Sequence, residues 1–536
     1  MLSKEDQHKL RGDIFRHLDG IGTAPTAYSL HEGGITEHLL QKQAANVTDL
    51  AKLFNANEGY MNVALRILAS QGWLDQQVDN DADQIVYRIN DHSSIAFQHF
   101  HIYKDVVALL KFSENFHPRK FEVEPFRMLE KIFSRFKKHY DIKLAEEETE
   151  REIQEQILKH IEGIILGPSI VHLGMSGMFH KYFMEASFRP EEFHKDPGSF
   201  KKILDMFTYF DWFIEKNGTY QFTEKGLFFA KRASAYGVTV SYIPTFRKLD
   251  ELIFGKADVL RSEDGPEIHV DRAMNVWGSG GAHSGYFRVV DEIIIDIFNK
   301  PIEEQPKGIL DMGCGNGAFL QHLFDVIYTQ TLRGKMLNEY PLILVGVDYN
   351  ETALKITKGN LIQSDIWAKV VWGDIGRPDL LADDLKENYG IDLHELLNVR
   401  TFLDHNRIWI EPTGSGGDLL SKSTGAFAYR GKCLNNNLVE QSLLEHLQKW
   451  QPFVRKFGLL IIELHTIAPE VTAQNIGKTA ATAYDATHGY SDQYIVEVEV
   501  FQKIAAMAGL HPSQEIARKF PNNELATVTI NLLKEI

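Results

Sequence analysis

The chain has 536 residues, of which 44% are hydrophobic and 24% charged, with a formal net charge of -16 and two cysteines. That length implies two to four domains, and the acidic balance excludes a general polyanion binder, whose affinity rests on neutralising phosphates. Cys314 and Cys433 are too few for a disulfide scaffold or a cysteine-rich metal site, and the charged start Met1 to Asp6, with no apolar run of membrane length, points to a cytoplasmic protein with no nucleic-acid or membrane partner.

From Val47 to Leu74 the pattern is that of a helical pair. Thr48 is placed to cap a helix Asp49 to Phe54, and a second helix, Glu58 to Gln71, carries Met61, Ala64, Leu65 and Leu68 at helical spacing before Gly72 ends it. Trp73-Leu74 and Ile85 to Ile89, around the polar turn Asp79 to Asp83, read as two strands of a wing. This predicts a winged helix. The second helix carries only Arg66 as a cation, with Asn57 and Glu58 at its start, so a structural or dimerising role outweighs DNA binding. A ligand-sensing DNA-binding protein stands as the reading from a different class.

Phe126 to Ile165 reads as one long amphipathic helical stretch with a charged segment, Glu146 to Glu155, suited to a lid or to the interface of a homodimer. A second, weaker winged helix runs from Phe200 through Phe213-Ile214, the turn Lys216-Asn217-Gly218 and Tyr220 to Gly226. Trp277-Gly278-Ser279-Gly280-Gly281-Ala282-His283 is expected to be a flexible joint able to fold over a ligand, with His283 a second-rank site candidate. The expected division is a winged-helix-like domain over 1–95, a helical lid region over 96–275 and a catalytic domain over 276–536.

Gly308 to Met312 is a buried strand that runs into Gly313-Cys314-Gly315-Asn316-Gly317 and then a helix, Ala318 to Val326. Glycine suits a tight turn, close backbone approach to a ligand and exposed N–H groups at a helix start. Asp311 before the turn faces the charged end of that ligand. The next strand, Leu342 to Val347, ends in Asp348, placed to accept two ribose hydroxyls; the third, Ala368 to Trp372, ends in Gly373-Asp374-Ile375, where a carboxylate accepts from an adenine amino group. Together these residues resemble the class I S-adenosylmethionine-dependent methyltransferases, which implies an α/β Rossmann-like sheet behind the winged-helix, helical N-terminal half. The resemblance makes Asp311, Gly313, Gly315, Gly317, Asp348, Asp374, Ile375 and Asn398 the cofactor-binding set. NAD is disfavoured, because the first glycine comes two residues after an acidic one.

Reacting groups in a doubly wound sheet gather beyond the carboxyl ends of the strands. Strand four, Glu395 to Val399, is followed by Arg400-Thr401-Phe402-Leu403-Asp404-His405-Asn406-Arg407, and strand five, Leu459 to Ile462, by Glu463-Leu464-His465-Thr466. Arg400 and His465 are the catalytic candidates. Imidazole, carboxylate and amide oxygen suit Fe(II) or Mn(II) and leave positions open for a bidentate substrate. His488 and Gln493 are spaced so that a turn brings both inward, and Asp404 or His405 completes the set.

The words Arg400 to Arg407 and Tyr484-Asp485-Ala486-Thr487-His488-Gly489-Tyr490-Ser491-Asp492-Gln493-Tyr494, with Trp277 to His283 and Asp311 to Gly317, resemble the metal-dependent C-methyltransferase domains of apratoxin-type polyketide synthase loading modules. That resemblance implies a mononuclear iron or manganese ion beside S-adenosylmethionine, and a malonyl group, carried on an acyl carrier protein, methylated at carbon. A metal-independent O-methyltransferase, with His405 or His465 deprotonating a hydroxyl, is the alternative.

Overall fold

The computed structural model describes residues 2–112, 123–260, 268–414 and 420–535. It divides into two compact units: the first comprises Met1–Ala282, Ala426–Cys433 and Ala468–Asp492, the second His283–Gly425, Leu434–Ile467 and Gln493–Ile536.

The first unit opens on a helix absent from the sequence reading, α1 (Lys4–Glu32), followed by β1 (Ala44–Asn46), α2 (Val47–Leu53), α3 (Glu58–Ser70) and the strands β2 (Asp75–Asp79) and β3 (Gln84–Arg88). β3 lies between β1 and β2, antiparallel to both, and β2 with β3 forms the expected wing. Two details differ from expectation. The cap of α2 is Asn46, whose Oδ1 accepts from the Thr48 N–H at 2.8 Å, while the Thr48 hydroxyl donates to Glu58 at 2.5 Å. Trp73 and Leu74 are buried in the core instead of opening the first wing strand.

The expected long helix is two, α4 (Val123–Phe136) and α5 (Glu148–Met175). His139, Tyr140 and Asp141 between them take positive φ angles, which an α-helix cannot accommodate. The second winged-helix pattern is present as α6 (Pro197–Tyr209) and the hairpin β4 (Phe213–Lys216) and β5 (Thr219–Phe222). Asn217 and Gly218 both have φ above zero, at 51° and 78°, as the tight turn of such a hairpin requires.

The expected flexible joint is a correction. Trp277 to His283 lies inside a helix, α7 (Arg272–Phe298). Gly278 and Trp277 are closely packed there: a Cβ on Gly278 would stand 2.6 Å from the Gly237 carbonyl carbon, and a Cβ on Gly174 of α5 would meet the Trp277 ring at 2.8 Å. The side chain of His283 lies outside the described residues.

In the second unit the strands are β6 (Gly308–Met312), β7 (Ile343–Asp348), β8 (Lys369–Trp372), β9 (Leu396–Thr401), β10 (Leu459–Leu464), β11 (His511–Pro512), β12 (Arg518–Phe520) and β13 (Val528–Lys534). Their order is β11-β13-β10-β9-β6-β7-β8, with β12 also paired to β13. The five strands β10, β9, β6, β7 and β8 are parallel, and β13 is antiparallel to β10. Helices α8 (Ala318–Gln330), α9 (Glu351–Gln363), α10 (Asn436–Val454) and α11 (Val498–Met507) accompany them. The chain moves outward from β6 in one direction to β7 and β8, then returns to β9 and β10 on the other side. The strand order therefore reverses between β6 and β9, the position at which doubly wound sheets receive a ligand. Among the described residues no helix is long and apolar enough to cross a membrane.

Candidate active site

The turn after β6 is shaped by backbone geometry. Gly313 and Gly317 both have φ of 80°, and a Cβ on Gly313 would press to 2.9 Å from Leu403. The N–H groups of Gly313 and Cys314 donate to the Val347 carbonyl at 2.8 and 2.9 Å, and that of Gly315 to Asp348 Oδ2 at 2.9 Å. The other Asp348 oxygen accepts from the Asn350 N–H at 2.9 Å. The glycine turn and the second acidic strand end are thus tied together.

Asp311 lies behind this turn with 1% of its surface exposed, and among the described residues neither carboxylate oxygen has a hydrogen-bond donor. Burial, with the negative charge of Asp348 added, pushes its pKa up to about 8. A buried carboxylate without donors has a deficit that a cation can fill, and the α-ammonium of S-adenosylmethionine has that chemistry. The residues present therefore fit the cofactor. At the end of β8, Asp374 is half-buried and accepts from the Gly376 N–H at 2.8 Å; Ile375 is buried, and its carbonyl accepts from Trp450 Nε1 at 2.7 Å.

β9 runs to Thr401, two residues beyond the expected strand, so Asn398 stands in mid-strand between Leu310 and Leu459. Its amide donates to the Leu396 carbonyl at 3.3 Å within its own strand. Arg400 is likewise within β9 and fully buried. Its guanidinium lies 4.0 Å from the Trp450 ring centroid and donates to Asp404 Oδ1 at 2.5 Å. This arrangement gives Arg400 a part in holding Asp404.

The segment after β9 is the most heavily braced part of the unit. Phe402 has φ of 54°, a conformation a bulky residue adopts only when its surroundings hold it there. Its N–H donates to the Ile462 carbonyl at 2.7 Å. Glu463, 1% exposed, accepts from the Asp404 N–H at 3.0 Å on one oxygen and from His405 Nδ1 at 2.5 Å on the other. Asp404 Oδ1 also accepts from His446 Nε2 at 2.9 Å, while Oδ2 has no hydrogen-bond partner among the described residues. Burial alone would raise the Asp404 pKa, but Arg400, His446 and Arg407 outweigh it and hold the carboxyl below its usual range. Burial depresses the pKa of His446, against the pull of Asp404.

Because a carboxylate can only accept, Nδ1 of His405 carries the proton that Glu463 receives. The lone pair of the neutral ring is then on Nε2, the arrangement that carboxylate–histidine pairs impose on metal ligands. Gln493 is buried and adjoins this turn through its neighbour, since the Tyr494 N–H donates to the His405 carbonyl at 2.8 Å. His488 belongs to the first unit, on the helix Ala481–Gly489, where Nδ1 bonds the Tyr484 carbonyl at 2.8 Å and the ring lies near those of Tyr242 and Tyr484. Its tautomer is that of His405. Within the second unit the donor chemistry of His405 and Gln493 suits Fe(II) or Mn(II), whereas Asp404 Oδ1 accepts from Arg400 and His446. Among the described residues no three His, Cys, Asp or Glu side chains form a metal-holding group.

His465 is fully buried, with Nδ1 donating to the Val496 carbonyl at 3.2 Å and Nε2 accepting from the Thr529 hydroxyl at 2.8 Å. Burial depresses its pKa to about 3. Both ring nitrogens are thus engaged, one with the Val496 carbonyl and one with Thr529 of β13. Glu463 and His446 are the residues that sequence reasoning passed over. The signal for His446 is a polar residue on the apolar stripe Val439, Leu443, Leu447 and Trp450 of α10.

Three domain families match the chain in order: the AprA N-terminal domain over residues 10–76, the AprA winged helix domain over 162–256 and the AprA MT2-like domain over 267–531. None of the curated proteins compared with the chain matches it. Solved structures similar to it include an O-methyltransferase family protein from Burkholderia thailandensis, 11% identical, covering 69% of this chain and 95% of that one at a TM-score of 0.39. CurJ carbon methyltransferase is 12% identical over 69% and 92%, at 0.33. CalO1, a methyltransferase in calicheamicin biosynthesis with S-adenosylhomocysteine bound, is 12% identical over 72% and 98%, at 0.34.

The chain is a class I S-adenosylmethionine-dependent methyltransferase with a winged-helix domain preceding the catalytic one. It is, more narrowly, a methyltransferase of the AprA-like type.

Proposed function

We propose that this methyltransferase transfers its methyl group to carbon, acting in the cytoplasm on an activated dicarbonyl of malonyl type carried on an acyl carrier protein, in polyketide or related secondary metabolism. The observation that supports this reading best is the His405–Glu463 pair at 2.5 Å, which fixes the imidazole in the tautomer of a metal ligand. His405 and Gln493 of the second unit are the donors assigned to iron or manganese, and His488 carries the same donor chemistry. A bound ion there would supply Lewis-acid stabilisation of an enolate.

The roles of the chain's own groups follow from their positions. Asp311 accepts from the ammonium of the cofactor, Asp348 from its ribose hydroxyls and Asp374 from its adenine, so three strand ends orient the sulfonium methyl. Glu463 keeps the proton of His405 on Nδ1. Holding the acceptor carbon and the methyl at near-attack distance supplies much of the acceleration. A carbon between two carbonyls loses its proton far more readily than one beside a single carbonyl, which favours malonyl over acetyl groups.

The His405–Glu463 pair also favours a second reading, a metal-independent O-methyltransferase in which His405 Nε2 accepts the proton of a hydroxyl. One experiment separates the two. Malonyl, methylmalonyl and acetyl groups on a carrier or pantetheine mimic, and a set of hydroxylated small molecules, are incubated with cofactor and either Fe(II), Mn(II) or a chelator, then weighed by mass spectrometry. The expected result is one or two methyls gained by the malonyl group with metal, and none by the acetyl group. Methylation of a hydroxyl compound in chelator hands the case to the second reading.

A further inference from the structure

We propose that His446 is a positioning residue for methyl transfer, acting through Asp404 on the turn that presents His405; the proposal rests on the reading that places His405 at the reaction site. The geometry of α10 carries it. Four of its residues at helical spacing reach the same turn. The Val439 carbonyl accepts from Arg407 at 3.2 Å, the Ser442 hydroxyl from Arg407 Nε at 3.4 Å, His446 donates to Asp404 at 2.9 Å, and Trp450 lies under the Arg400 guanidinium. Arg407 in turn donates to the Asp404 carbonyl at 3.1 Å. One face of one helix is thereby given over to holding seven residues, Thr401 to Arg407.

Stability alone does not explain this choice. Charged groups taken out of water are a weak source of stability, and a well-packed apolar side chain of similar volume often does as well or better. What an apolar side chain cannot do is fix the direction of the Asp404 carboxylate. Asp404 and His405 are consecutive and share Glu463, one through its N–H and the other through its ring. A rotation of Asp404 is therefore passed to the imidazole, across a turn already strained at Phe402. His446 is the brace on that rotation that α10 supplies, on the same oxygen that Arg400 holds.

The test compares wild-type protein with His446→Leu, which removes the donor, and His446→Gln, whose amide N–H can still reach Asp404. Amide hydrogen exchange by mass spectrometry on the purified protein, with no acceptor present, reads the turn directly. Exchange over 401–407 is expected to rise in His446→Leu while the α10 peptides stay protected, and to return to wild-type in His446→Gln. For the acceptor that the wild-type methylates, kcat is expected to fall by about 10- to 100-fold in His446→Leu with KM and cofactor affinity within about threefold, as a small misplacement produces. Glutamine should recover most of this loss, and adding Asp404→Asn to His446→Leu should cost less than the two separate losses combined.

The proposal is overturned if exchange over 401–407 and kcat are unchanged in His446→Leu, if exchange rises in α10 instead, or if the two losses multiply independently. Should His446→Leu fail to fold, His446→Gln decides: unaltered exchange over 401–407 and near-normal kcat support the proposal, and a loss as large as that of Asp404→Asn overturns it. The exchange arm requires no turnover, so failure of malonyl methylation would sink the function reading and leave this one decided separately.

Discussion

If Asp311 receives the cofactor's ammonium, its buried carboxylate should make cofactor affinity depend on pH. With a pKa of about 8 in the cofactor-free protein, the ionised fraction at pH 6 is about 1% and at pH 8 about one half, and binding a cation to the ionised form must first remove the proton. Affinity for S-adenosylmethionine should therefore rise about 50-fold from pH 6 to pH 8, a change of about 2.3 kcal/mol, with about 0.9 proton released per cofactor bound at pH 7. Isothermal titration in two buffers of different ionisation enthalpy measures both quantities, and S-adenosylhomocysteine, which keeps the ammonium, serves as a stable second ligand. Asp311→Asn should flatten the profile. The linkage to folding has a definite sign: the folded pKa lies above the unfolded value of 3.8, so this group's favourable contribution is complete below about pH 4 and is lost as pH rises through about 8. Cofactor should restore part of that loss. Affinity constant within twofold from pH 6 to pH 8, or heats independent of buffer, would refute the reasoning.

Three further outcomes are expected. Asp348→Ala removes two ribose bonds to a charged acceptor, each worth about 1.5 to 3 kcal/mol, and should weaken cofactor binding by roughly two orders of magnitude or more in calorimetry; it also releases the Gly315 N–H from its partner. His465→Ala should lower stability by roughly 2 to 4 kcal/mol in denaturant titration, through the loss of two buried hydrogen bonds and the space left behind, while kcat of the folded fraction stays within about threefold; an unchanged midpoint with a large fall in kcat would support the base role. His405→Ala, His488→Ala and Gln493→Ala should each reduce iron or manganese by elemental analysis with cofactor binding near normal, and a wild-type protein that holds less than stoichiometric metal after reconstitution removes the metal from the mechanism.

The catalytic sheet was legible because its strands are short apolar runs that end in chemistry: Asp311, Asp348 and Asp374 stand where local pattern places them. The hairpin of β4 and β5 was legible through Asn217-Gly218, whose backbone needs are local too. Helix α1 was not, since its buried face includes Gly12, His17, Asp19, Gly20, Gly22, Thr23, Thr26 and Ser29, a stripe that lacks the usual apolar signal. Trp277 to His283 misled for the opposite reason, because glycine placed for close packing in a helix has the same letters as glycine placed for flexibility. His465 and His446 show the limit for single residues. A histidine just past a strand reads alike whether its ring meets a substrate or Thr529, and the partner that gives His446 its meaning is 42 positions away.

The first unit is assembled from three stretches of chain, the last ending at Asp492. During synthesis, residues 1–282 leave the ribosome well before the pieces 426–433 and 468–492 that complete their unit. At about 5 to 20 residues per second, the wait from residue 282 to residue 492 is about 10 to 40 s. Through that interval α1 and α3 lack the helix Ala481–Gly489, on which Arg66 meets Asp485 and Gln71 meets Thr482. The N-terminal half is therefore exposed to chaperones and proteases for longer than a contiguous domain would be, and it is not a cassette that recombination can move intact.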